Sequence, residues 1–165
     1  MDSNGKFLEL LNYSLNELNI YLEFELYLMY KYLHNDKSVE RTFAKIQGIH
    51  KKVLENIKNT AWDILHIRLI EEQIINDLKK GKVIFHYIGT KDIGLQKIIN
   101  INPLKIIGFL DEQKIIVREH NFKEEIQCEE IDDMLQQHIN KNKIGDINYK
   151  EKFKEISNII AEMIQ

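Results

Sequence analysis

The sequence predicts an α+β protein in which helices dominate. Three observations carry this. Leu8, Leu11, Leu15, Leu18 and Leu22 recur at alternating spacings of three and four, the seam of a helix packed along its length. Apolar residues then keep helical spacing as far as Leu78. After Gly81 the pattern changes to short β-branched and aromatic runs. The expected architecture is an N-terminal bundle of two or three long helices beside a small C-terminal sheet of about three strands, with two further helices. The boundary falls at Gly81, dividing a helical unit (1–81) from a small α+β unit (82–165), the two packed as one compact domain.

The first helix is expected over 6–33, with Ser3 as its cap. From Ile20 to Leu33 apolar and aromatic residues go nearly all round it, so this segment needs cover on more than one side. After the polar break 34–37, Ser38 can cap a second helix reaching Asn59, with Phe43, Ile46, Ile49 or His50, Val53, Leu54 and Ile57 inward. Thr60-Ala61-Trp62-Asp63 has the form of a capping box. It opens a third helix with Ile64, Ile67, Ile74 and Leu78 inward, closed by Lys79, Lys80 and Gly81. The second and third could equally be one bent helix. Residues 83–88 read as a buried strand and 91–100 as a short helix. Strands are expected over 105–110 and 114–118, flanking a hairpin connection at 111–113. One helix follows from Phe122 or Lys123 to Asn140, then a polar loop over 141–148. A last helix over 149–164 has Phe153, Ile156, Ile159, Ile160 and Met163 as its apolar stripe.

Composition excludes several classes. With 23 basic and 26 acidic residues the chain is weakly acidic, which argues against direct nucleic-acid binding. A single cysteine, Cys128, excludes an intramolecular disulfide and multi-cysteine metal sites. The first residues lack the basic and apolar blocks of a signal peptide, and 20–33 is too short and too charged to span a bilayer. A cytoplasmic protein is expected. The 28 isoleucines and 15 asparagines, against three alanines, point to an AT-rich genome. Through Lys82 the charges balance, so the net charge of −3 lies in the rest.

Chemical motifs are sparse. No two histidines share a metal-binding spacing, and no cofactor is implied. Asp63 and His66 lie one turn apart beside Trp62: they fit a polar helix face, or one arm of a metal or acid–base site completed by His50. His86 interrupts the apolar run 83–88 and reads as a hydrogen-bonded structural residue. Glu112-Gln113-Lys114 matches the E-x-K half of a metal-dependent nuclease site, with Asp92 as the only nearby second acid. Residues 89–94 resemble a phosphate loop but lack the Gly-Lys-Ser/Thr that such a loop requires. Acids surround Cys128, which argues against a reactive thiolate.

Two surfaces remain as candidate contacts. Glu124, Glu125, Glu129, Glu130, Asp132 and Asp133 form an acidic helix face suited to a basic protein partner. Tyr21, Phe24, Tyr27 and Tyr30 form an aromatic face suited to a homodimer seam or to a wall of a small-molecule or lipid pocket. The function expected is that of a non-catalytic interaction or regulatory protein: an inhibitor, an antitoxin-like or an immunity-like neutraliser. The alternatives are a small-molecule sensor, with a cavity near Tyr21, Phe24 and Tyr27, and a metal-dependent nuclease-like enzyme.

Overall fold

The computed structural model describes residues 2–110, 113–126, 128–141 and 149–164. Helix α1 (Ser3–Asn12) is capped by Asp2 rather than Ser3, since the Asp2 carboxylate accepts from the Gly5 N–H at 2.7 Å. The single helix expected over 6–33 does not form. α1 runs into a π-helical turn at Tyr13–Glu17, Asn19 takes φ 51°, and the chain restarts as α2 (Glu23–Leu33). Asparagine is among the few residues that tolerate left-handed backbone. The Ser14 hydroxyl donates to the Ile20 carbonyl at 2.6 Å and fixes the break. The leucine seam therefore ends early: Leu11 and Leu15 are buried, while Leu22 is 41% exposed.

Helix α3 (Lys37–Phe43) is capped by Asp36, which accepts from the Ser38 N–H, so Ser38 is not the cap. One 3-10 turn (Ala44–Ile46) and a loop with Gly48 at φ 72° lead to α4 (Val53–Lys79). These 27 residues form a rod about 40 Å long. The capping box expected at Thr60 is not used. Thr60 is buried inside α4 and its hydroxyl donates to the Asn56 carbonyl at 2.9 Å, so the side chain is engaged by the preceding turn instead of capping a new helix. Gly81, at φ 67°, ends α4 as expected.

Helix α5 (Ile93–Ile101) follows, capped by Asp92, which accepts from the N–H groups of Gly94 and Leu95. Strands β1 (Leu104–Leu110) and β2 (Gln113–Arg118) pair antiparallel, with Ile107 opposite Ile116. Asp111 and Glu112, in the expected hairpin connection, lie outside the described residues. Among the described residues the sheet has two strands rather than three, because 83–88 joins no ladder. The helix expected from 122 to 140 is two, α6 (Phe122–Ile126) and α7 (Glu129–Lys141). The last, α8 (Tyr149–Ile164), covers the expected span, and its Ile159 and Met163 are exposed. The loop expected over 141–148 falls almost wholly outside the described residues.

Two apolar clusters form the core, and α2 belongs to both. Phe7, Leu11, Leu15, Tyr27, Phe122 and Leu135 join α1, α2, α6 and α7. Phe24, Leu28, Val39, Phe43, Ile67 and Ile98 join α2 to α3, α4 and α5. Both clusters therefore take residues from either side of Gly81. A charged network locks α2, α4 and β2 together. Arg68 donates to Glu25 at 2.8 Å and to Glu71 at 3.1 Å, while Arg118 donates to Glu71 and, at 2.9 Å, to the Asn102 carbonyl. The Arg118 guanidinium also lies 4.2 Å from the centre of the Phe24 ring. No helix among the described residues is long and apolar enough to cross a membrane.

Candidate interaction surface

Gly81 turns the chain out of α4 and back along it. The Lys82 N–H still donates to the Asp77 carbonyl at 2.9 Å, but residues 83–89 make no backbone hydrogen bond among the described residues. Their exposure alternates in degree only, since Ile84 and Ile88 are exposed as well, though less than the residues beside them. Val83, Phe85 and Tyr87 are 78%, 79% and 85% exposed, while His86 between them is half-buried. His86 Nε2 lies 2.9 Å from the buried Asp77 carboxylate, which also accepts from Gln73 at 3.3 Å. That tether fixes the middle of the segment on α4. By Lys91 and Asp92 the chain has reached Asp63, with which both line a cavity of about 280 Å³. Residues 83–88 thus have the shape of a strand with neither edge paired. The buried strand expected here is corrected: His86 ties the segment to α4, and it pairs with neither outer edge of the β1–β2 hairpin.

A second apolar surface lies on α4. Trp62, Leu65 and Leu69 are exposed at spacings of three and four, and Tyr21 and Leu22 border them. Between Leu22 and this stripe runs a groove of about 730 Å³, walled also by Ala61, Arg68 and Glu72. Ile64, Ile67, Ile74 and Leu78 are buried or half-buried on the other side, as expected from the spacing. The outward stripe was legible by the same spacing, but reading one face of α4 as core left the other unexamined.

The aromatic residues of 20–33 do not form a common surface. Phe24 and Tyr27 are core residues, each 1% exposed, which corrects their expected place on a contact face. The Tyr27 hydroxyl donates to Glu125 at 2.9 Å, and burial with this carboxylate pushes its pKa up. Tyr30 is half-buried, edge-on to Phe7 at 5.3 Å. Tyr21 alone is exposed. A cavity of about 380 Å³ touches Tyr21 and Phe24, but Tyr27 is not in its wall.

Glu124 and Glu125 on α6, and Glu129, Glu130, Asp132 and Asp133 on α7, are all exposed. Glu125 is also a structural residue, bonded to Tyr27, to His120 at 2.6 Å and to Lys31 at 3.5 Å.

The candidate chemical groups are scattered. Asp92 caps α5, and the N–H groups of Leu95 and Gly94 hold its carboxyl below the usual range. Lys114 pairs instead with Glu72 at 2.7 Å, and Glu112 lies outside the described residues. His50 donates to the Lys45 carbonyl, Asp63 pairs with Lys45 at 3.6 Å, and His66 lies against Trp62. Among the described residues no three His, Cys, Asp or Glu side chains gather as metal ligands. No protein family, curated protein or solved structure matches this chain.

Proposed function

We propose that this is a non-catalytic interaction protein, an inhibitor or neutraliser that binds its target by strand addition along 83–88. One observation carries the reading: an apolar segment laid along α4 with no backbone hydrogen bond among the described residues, in which Val83, Phe85 and Tyr87 are the most exposed of five exposed apolar side chains. In strand addition the main chain supplies affinity and alternate side chains supply specificity. Val83, Phe85 and Tyr87 are the specificity residues. The His86–Asp77 tether holds the segment in place before binding, which lowers the ordering cost of association. Lys79, Lys80 and Lys82 precede the segment and Lys91 follows it. The occupant that fits is a target protein with a free sheet edge flanked by acids. The acidic face of α6 and α7 is a separate surface for a basic protein.

The test is site-specific photocrosslinking from positions 85 and 87 in the producing cell, followed by purification of the captured protein. The purified target is expected to bind the wild-type chain, and to bind a Val83→Ser/Phe85→Ser/Tyr87→Ser variant at least about tenfold more weakly. A target that binds both alike, or crosslinks only within the chain, overturns the reading.

A further inference from the structure

We infer that α4 carries a second interface, made with another copy of this chain about a two-fold axis at Leu65. The apolar stripe Trp62, Leu65 and Leu69 ends in opposite charges. Lys58 lies seven residues before Leu65 and Glu72 seven residues after it, each about 10 Å along the helix. Lys58, Leu65 and Glu72 fall near one line on α4, with Trp62 and Leu69 on one side of it and Ala61 and Arg68 at matching angles on the other.

An antiparallel pair of α4 helices centred on Leu65 satisfies every part of this stripe. Leu65 meets the second copy's Leu65. Trp62 comes level with the second copy's Leu69, on the same side of the seam, and this contact occurs twice. On the other side Ala61, the smallest residue of the stripe, makes room for the stem of Arg68 from the second copy. Lys58, which like Glu72 is already engaged in its own chain, stands opposite Glu72 of the second copy at each end. Glu72 already holds Lys114 at 2.7 Å, so the second cation joins an existing pair. A parallel pairing would instead set Lys58 against Lys58 and Glu72 against Glu72. Self-complementarity of this kind is what a two-fold interface requires and what a foreign partner does not. Tyr21 and Leu22, on the far wall of the groove beside Ala61, extend the apolar contact beyond the helix itself.

Sedimentation equilibrium of the full chain reads the subunit number. The expected mass is twice 19.7 kDa. Leu65→Asp, at an exposed position, is expected to keep the helical circular dichroism spectrum and to weaken self-association at least about 100-fold. Lys58→Glu is expected to weaken it about tenfold, and adding Glu72→Lys to bring it back within about threefold. A wild-type chain that stays monomeric at about 100 μM overturns the inference, as does a dimer indifferent to Leu65→Asp. A dimer that the charge exchange fails to rescue overturns the antiparallel arrangement. The serine variant of 83–88 leaves the dimer whole, and its dissociation in that variant would place the interface on 83–88 instead.

Discussion

Two stretches of this chain are almost wholly apolar, 20–33 and 83–88, and they meet opposite fates. In the first, Phe24, Leu26, Tyr27 and Leu28 are buried and tie the two core clusters together. In the second, Val83, Phe85 and Tyr87 stand in water. Hydrophobicity does not separate them. Backbone hydrogen bonding does. A helix satisfies its own N–H and C=O groups and can enter a core alone, whereas a strand needs a neighbouring edge. β1 and β2 pair with each other, and 83–88 joins neither of their outer edges but is tied to α4 through His86 instead.

The contrast can be broken most directly by mutation. Phe24→Ala removes a fully buried ring from the second cluster and is expected to cost about 3–5 kcal/mol in urea denaturation. The triple serine variant at 83, 85 and 87 is expected to stay within about 1 kcal/mol of wild type. Equal losses would mean that 83–88 belongs to the core in solution. The next effect concerns the charged network beneath Phe24. Glu71→Ala strands Arg118, whose side chain is 9% exposed, and is expected to cost about 3 kcal/mol. Replacing Arg118 by Met in that background should recover part of the loss. No recovery would show that Glu71 acts by something other than charge pairing.

A smaller effect lies at the exit from 83–88. Asp92→Ala removes the α5 cap and is expected to cost about 1 kcal/mol. Because the folded Asp92 carboxyl titrates below its ordinary value, its contribution is fully present above about pH 4. It is lost as the pH falls through the lowered folded value. Denaturation midpoints measured from neutral to acid pH should therefore fall less steeply in the variant, and equal slopes would remove the pKa argument. Smallest of all, lysines at Glu124, Glu129 and Glu130 are expected to leave stability within about 0.5 kcal/mol. They should slow association with a basic target, read as a lost salt dependence of the on-rate. An unchanged on-rate would remove this face from consideration.

What the sequence made legible were elements whose signals are local. α5, the β1–β2 pair and α8 lie where turn residues and periodicity put them. The breaks were not legible. Asn19 carries the left-handed kink that splits 6–33, yet asparagine is equally common on a helix surface. Thr60 followed by Asp63 looks like a helix start, and only the bond from its hydroxyl to Asn56 shows otherwise. The network of Glu25, Arg68, Glu71 and Arg118 joins residues up to 93 positions apart, and only Arg68 with Glu71 carries a local spacing signal. At 83–88 the strand character was visible, but pairing depends on the whole fold.

Trp62 is the only tryptophan in the chain, and it stands more than half exposed in the middle of α4. Its emission in the single chain is therefore that of an indole in water, open to collisional quenching by iodide. Unfolding changes that environment little, so tryptophan fluorescence is a poor reporter of stability here. Covering the outer face of α4 changes it a great deal. A blue shift with rising concentration, and with it protection from iodide, is the optical signature of that face being occupied.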